Sequence, residues 1–599
     1  MVRTKKDGLA RFRTFALILI VGIAAALRLV LLDRIPTGIL MDEFDNVLNA
    51  KFVYHTGANI RNNWSPLSLS TFPNEVPKGE LTYLISLPFV GPFGLSLFTA
   101  RIGFALISIA TVLVLYGIAE TLFGPWVALA TAALTAINPW MIYFGRTAYD
   151  VPVSVTFYFL AFLLLLRLRG PKLLLSLFPF FFAFYNYIGM KLLLIPFAAI
   201  SVLGSWLVYR KRQDSPWYLL VFLGTLVIIV SFIVRLPTMS SSLRTDQLFT
   251  PFDKTVTEMV NVNRRMTIPS PFTVLFSNKL IVYAKIVFEK YAGAFSPSIL
   301  FTNGEGIATF ALWEHGLFYP IDALFIAIGL LALFASGPAL AAFLIALAAI
   351  APLPSVLSTQ GTTYVHRSSL MIPVLLIFAG YGIVFAVRHL KKHWRLWGSL
   401  ALFIIYGILV SNFVDLYFFR FPYYNSEAFG VSQRIYSRYM ALAAAHSIPV
   451  VNFTESPELY FRNYIFYGNV PNAKTIPSLR PLFDQGTYTW QQQTFTKQCP
   501  KTLDKNATYI LSNFSPCKEL FLKQPMIVIP SLSDGGTLYM AFNDRVCGQY
   551  ALSGYPAGFM MRDFAIESIP EKQFCERFFI RYSDPLYRPQ TREGSWIVQ

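Results

Sequence analysis

"TFALILIVGIAAALRLVLL", residues 14–32, is the stretch whose reading decides the fold. A helix needs roughly 20 apolar residues to cross a bilayer, and this run meets that length with one charge near its end. The basic leader "MVRTKKDGLARFR" precedes it. A cleaved signal peptide is the rival reading, but no small-residue cleavage site follows. The run therefore reads as a retained transmembrane helix with its basic end in the cytoplasm.

The rest of the chain repeats this pattern. Of 599 residues, 55% are hydrophobic, 16% aromatic and only 14% charged, against about 25% charged in soluble domains. The apolar surplus comes in long runs separated by short basic loops, which is the composition of a polytopic membrane protein. The net charge of +18 falls largely in those loops. It reads as a topology signal, not as a nucleic-acid surface.

Further spans are expected near residues 99–120, 125–144, 151–167, 172–188, 191–209, 216–235, 319–335, 338–356, 368–387 and 396–415. The loops "RLRGPK" (Arg167–Lys172), "YRKR" (Tyr209–Arg212) and "RHLKKHWR" (Arg388–Arg395) should then be cytoplasmic. Residues 79–97 would break that parity as a full crossing, and Pro88, Gly91, Pro92 and Gly94 interrupt them. They read as a short or re-entrant helix on the outer side. About eleven crossings remain in residues 1–415, with outer loops at 33–98 and 236–318.

Residues 416–599 read as a separate extracytoplasmic α/β domain. "PVVNF", "TYILSNF", "MIVIPSL" and "TLYMAF" have strand character, and "MALAAAH" has helix-forming composition. All four cysteines, Cys499, Cys517, Cys547 and Cys575, lie here. An even count confined to this segment implies two disulfides in an oxidising compartment, with three pairings open. The wide spacings, without CxxC and without His among the cysteines, argue against zinc.

The outer loops gather charge at one membrane boundary. "ILMDEFDNVLNAKFVYHTG" (Ile39–Gly57) carries Asp42, Glu43 and Asp45, followed by Lys78 and Glu80. "GRTAYDVP" brings Arg146 and Asp150, "YNYIGMK" brings Tyr187 and Lys191, and "STQGTTYVHR" ends in His366 and Arg367. Acids beside membrane helix ends are costly unless solvated or paired. Asp42 and Glu43 can be read blandly as charges favouring a helix N-terminus, Arg146 as the partner of Asp150, and Lys191 as a snorkelling anchor. The coincidence of several such loops on one side favours a site.

These segments resemble the GT-C superfamily of polyprenyl-phosphate-dependent glycosyltransferases, particularly the protein O-mannosyltransferase and aminoarabinose transferase group. "MDEFDNVLNAKFVYHTG" is similar to that group's first-loop motif, "FGRTAYDVP" to its second-loop Arg…Asp motif, and "AFYNYIGMKLLLIPF" to its YxY-then-basic segment. "FSPSILFTNGEGIATFALWEHGLFY" resembles its long-loop segment, with Glu305 where the group usually has Asp, and "HRSSLMIPVLLIFAGYGI" resembles its late Arg-containing span.

The resemblance implies a mainly α, GT-C-type membrane enzyme that inverts the anomeric carbon. Its donor would be a polyprenyl-phosphate-linked sugar, and its acceptor a hydroxyl on protein, lipid or glycan. It implies Asp42, Glu43 and Asp150 as the catalytic carboxylates, Asp42 foremost as general base. Arg146, Lys191, Arg367 and Lys78 would meet the leaving phosphate, with Glu305, Tyr187 and His366 nearby. Asp45 has no counterpart in the motif and is expected to matter little. A divalent cation is possible but not expected to be obligatory. No Gly-rich nucleotide loop is found, which argues against a nucleotide-sugar donor. A transporter or lipid flippase is the rival class.

Overall fold

The computed structural model describes residues 2–62, 79–208, 215–235, 248–306, 309, 312, 315–359, 365–484, 487–500, 502–512, 515–521, 526–533, 536–552 and 560–582. The chain is mainly helical. Its helices are α1 Val2–Leu29, α2 Met41–Thr56, α3 Tyr83–Phe93, α4 Leu97–Phe123, α5 Pro125–Ile137, α6 Pro139–Gly145, α7 Asp150–Arg167, α8 Leu177–Asn186, α9 Leu194–Val208 and α10 Ser215–Arg235. There follow α11 Lys254–Arg265, α12 Pro271–Phe276, α13 Lys279–Ala294, α14 Pro320–Ser336, α15 Pro338–Ile350, α16 Leu353–Val356, α17 Met371–His389 and α18 Trp394–Asp415. The C-terminal part adds α19 Phe421–Tyr424, α20 Val431–Ala445, α21 Pro457–Tyr467, α22 Ile476–Leu479 and α23 Glu571–Phe578.

Among the described residues, eight helices are long and apolar enough to cross a membrane, and nine if the bent pair α5–α6 is one span. The sequence reading expects about eleven. The difference lies in two segments. Pro320–Ser336 is helical but short. Residues 172–188 divide into a 3-10 turn over Gly170–Ser176 and the ten-residue α8. The bend between α5 and α6 is 55°. Asn138 sits there and caps α6, its side chain accepting from the Met141 N–H at 3.0 Å, while Pro139 cannot continue the α5 hydrogen-bond ladder. Residues 79–97 give only the eleven-residue α3, too short to span.

The C-terminal sheet has seven strands among the described residues, in the order β2-β3-β1-β4-β6-β5-β7. They are β1 Val450–Phe453, β2 Tyr488–Trp490, β3 Gln493–Thr496, β4 Thr508–Ser512, β5 Met526–Pro530, β6 Thr537–Phe542 and β7 Ile580–Tyr582. β1 runs parallel to both β3 and β4, and the remaining pairs are antiparallel. Of the three possible pairings, the disulfides are Cys499–Cys517 and Cys547–Cys575. Replacing Cys547 and Cys575 by Ala, at a bridge buried in the domain core, should cost about 2–5 kcal/mol of domain stability. Denaturant unfolding followed by near-UV dichroism measures this, and an unchanged midpoint would refute it.

This domain is less separate than its sequence suggests. The span that begins at Trp394 continues past residue 415 to Tyr424. One apolar core contains Ile39, Phe44, Val47 and Phe52 from the first loop together with Ile435, Tyr464, Phe466, Cys547 and Cys575. The Phe44 ring meets Phe466 edge-on at 5.4 Å. Gly38 passes so close to the backbone of Phe429 that an added Cβ would lie 2.0 Å from its carbonyl oxygen. Only glycine fits there.

Candidate active site

The first loop, the second loop and α4 are joined by one carboxylate. Glu43 lies in the first turn of α2 and is fully buried. Its Oε1 accepts from the Leu40 N–H at 3.3 Å and from Arg101 Nη2 at 3.2 Å. Its Oε2 accepts from Arg101 Nε at 3.1 Å and from the Ala148 N–H at 2.8 Å. Arg101, also fully buried, donates further to the carbonyls of Pro36 (2.8 Å) and Gly38. Both Glu43 oxygens are thus held by three donor groups, which tie α2 to Arg101 and to the Ala148 N–H.

Asp42, one residue earlier, is exposed. Its backbone is fixed because Glu43 is fixed. Asp150, at the start of α7, is partly exposed. Asp42 and Asp150 both act on the Tyr149 phenol, which burial, aided by Asp42, Glu43 and Asp150, holds well above its ordinary range. The two carboxylates expected from separate loops lie on a helix and a turn tied together through Glu43.

The expected cations are placed differently. Arg146 is fully buried and donates to the carbonyls of Leu27 and Ile35, both at 3.0 Å, with its guanidinium 4.8 Å from the Phe418 ring centroid. It ties the end of α1 to the carbonyl of Ile35 and is buried against Phe418. Burial lowers its pKa. Lys191 lies in a 3-10 turn over Ile188–Leu193 and is ion-paired with Glu80. Its Nζ stands 4.1 Å from the Phe232 centroid. It is enclosed by protein instead of snorkelling, and Glu80 balances its charge. Burial raises the Glu80 carboxyl, against the opposing pull of Lys191. Lys78 lies outside the described residues.

A second cationic group forms around Ser358. Arg367 donates to Ser358 Oγ, and Lys290 Nζ donates to the Ser358 carbonyl at 2.7 Å. The His366 ring is 6.2 Å from that of Tyr187, which brings the segment around Lys191 and the segment around Arg367 together. Burial lowers the Lys290 pKa, and Asp253 opposes the shift. The sequence reading missed Lys290. Sequence alone does not single it out, because its helix, KLIVYAKIVFEKYAGA, also carries Lys279, Lys285 and Glu289. Glu305 is buried after Gly304, whose φ of +71° and whose Cβ position, 2.4 Å from the His315 carbonyl, require glycine. Nearby, the Tyr143 hydroxyl donates to the Thr309 carbonyl at 3.0 Å, fastening the long loop to α6.

Asp45 also departs from expectation. It is buried and ion-paired with Arg462 of α21, which in turn pairs with Glu458. Arg61 donates to both Glu458 oxygens, at 2.8 and 3.0 Å. Asp45 therefore anchors α2 to the C-terminal domain. Among the described residues, no group of three or more His, Cys, Asp or Glu side chains is arranged to hold a metal ion.

Fold and site thus define a multi-pass, mainly helical membrane protein with a disulfide-bonded C-terminal α/β domain. The family model for dolichyl-phosphate-mannose-protein mannosyltransferases matches residues 82–234, the stretch that carries the second- and third-loop motifs. No curated protein matches the chain by sequence. Among solved structures, it is similar to ArnT from Cupriavidus metallidurans bound to undecaprenyl phosphate. Identity is 12%, with 88% of this chain and 98% of that chain covered and a TM-score of 0.44. It is also similar to the archaeal oligosaccharyltransferase AglB from Archaeoglobus fulgidus in complex with an inhibitory peptide and a dolichol-phosphate. There identity is 10%, coverage 89% and 74%, and the TM-score 0.41.

Proposed function

We propose that the chain is an inverting glycosyltransferase. It moves a sugar from a polyprenyl-phosphate donor to an acceptor hydroxyl on the extracytoplasmic side. The observation that carries the reading is the tie between the two acidic segments: Asp42 is exposed on a helix turn whose next residue, Glu43, accepts from the Ala148 N–H, two residues before Asp150. The family-model match over residues 82–234 supports it.

In this reading the acceptor oxygen attacks the anomeric carbon as Asp42 takes its proton. The bond from that carbon to the phosphate oxygen breaks on the opposite face. The lipid phosphate leaves with the bonding pair, and cations must stabilise the added charge. Arg367 and Lys290 fill that role, and His366 lies beside them. Asp150 orients the acceptor. The mechanism uses protein cations for the leaving group and requires no divalent ion.

The test is transfer from a defined polyprenyl-phosphate sugar in reconstituted membranes, with donor binding measured separately. Arg367→Ala should weaken donor binding by about tenfold or more, the scale of one lost charge-assisted contact. Unchanged binding in both Arg367→Ala and Lys290→Ala would remove the phosphate assignment.

A further inference from the structure

The segment from Phe252 to Phe288 is a helical hairpin whose apolar residues exceed what its own folding uses. Its inner seam is small: Val256, Val260 and Val282 pack with Phe249. Arg264 Nε closes the hairpin by donating to the Ser277 carbonyl at 2.9 Å. Around its tip, Met266 is 83% exposed, Ile268 87% and Phe272 68%, with Leu275 and Phe276 also exposed. A cluster of large exposed apolar side chains of this kind marks a contact surface.

Two observations say what covers it. The hairpin is fastened to the end of a membrane span. Tyr291 of α13 donates to the Ala349 carbonyl at 2.9 Å, the Phe249 N–H to the Leu357 carbonyl at 2.9 Å, and Lys290 to that of Ser358. The span concerned is Pro338–Val356, so the hairpin begins at the membrane boundary, where the nearest apolar phase is the bilayer. The charge around the tip is also one-sided. Arg264, Arg265 and Lys279 flank the apolar tip, and no acidic residue lies between Arg264 and Lys279. Apolar side chains fringed by basic ones are the pattern of elements lying in a lipid interface, where cations meet lipid phosphates.

We propose that the tip of the α11–α13 hairpin inserts into the leaflet adjoining the end of Pro338–Val356, with Arg264, Arg265 and Lys279 on the headgroup phosphates. The inference needs only a chain that spans the membrane, not the glycosyltransferase reading. Lys290 lies on α13 beyond the hairpin's Phe288, so the hairpin also lies beside the Ser358 cations, where a lipid substrate would approach.

All four cysteines are disulfide-bonded, so a single introduced thiol is a clean label site in the full-length protein. Ile268→Cys and Phe272→Cys, carrying an environment-sensitive fluorophore in nanodiscs, should be quenched by lipid-borne doxyl groups. They should also lose quenching by aqueous iodide relative to the exposed control Lys474→Cys. In anionic nanodiscs, converting Arg264, Arg265 and Lys279 together to Gln should shift the label toward iodide access. Iodide quenching at 268 and 272 equal to that at 474 would overturn the proposal. So would protection from both quenchers at once, which would mean a polypeptide or a second copy covers the tip.

Discussion

Asp42→Asn is expected to lower sugar transfer by about a hundredfold or more, the scale on which a general base contributes, while donor binding and thermal stability stay close to wild type. The substitution keeps shape and removes basicity. Its structural cost should be small because Asp42 is exposed at the first turn of α2. The positive end of that helix favours the ionised carboxylate, and Asn also tolerates the position. The neighbouring acid should behave oppositely. Glu43→Gln keeps an acceptor but weakens the bonds to Arg101 and to the Ala148 N–H, so its first effect is on stability. Asp150→Asn should reduce turnover less than Asp42→Asn, since it orients and does not take the proton. The measurement is single-turnover transfer with saturating polyprenyl-phosphate donor. Full activity in Asp42→Asn with loss in Asp150→Asn would transfer the base role to Asp150.

Much of the fold is legible because the bilayer imposes one simple requirement on sequence, a long apolar helix. Thr14–Leu32 met it, and α1 covers most of that run. The strands that rise above their surroundings, such as "TYILS" and "MIVIP", are sheet members β4 and β5. The illegible parts lack that contrast. β2 and β3 are short, polar at several positions, and identified only by the partners they meet. Residues 172–188 are apolar enough to span, but apolarity does not reveal that the helix stops at Asn186 and passes into a 3-10 turn.

In the site, residue type was legible and partnership was not. Asp42 and Asp150 carry their signal locally, as acids beside helix starts. Arg146 and Lys191 look from sequence like cations awaiting a phosphate, yet one is spent on backbone carbonyls and the other on Glu80. Asp45 reads as dispensable from sequence because its partner, Arg462, lies far along the chain in a domain with no recognised motif. A charge's role depends on which distant group neutralises it, and for Asp45 that group lies 417 residues along the chain.

The buried Arg101 should give the largest stability loss. Arg101→Leu is expected to cost about 3–5 kcal/mol, the usual consequence of removing one partner from a buried pair. Both side chains are fully excluded from solvent. The substitution would leave Glu43 with only the Leu40 and Ala148 N–H groups, and would strip a donor from the carbonyls of Pro36 and Gly38. Most of that cost is an uncompensated buried charge, so removing the charge should restore part of it. Arg101→Leu with Glu43→Leu is therefore expected to be more stable than Arg101→Leu alone, with a favourable coupling in the double-mutant cycle. Activity should not return with stability in the double variant. Without Glu43, the Ala148 N–H loses its acceptor, the second loop is no longer held to α2, and Asp42 and Asp150 lose their common register. Denaturant unfolding of the reconstituted protein, with transfer assayed on the folded fraction, separates the two effects. A double variant that regains both stability and full transfer would show that Glu43 merely neutralises Arg101 and does not position the site.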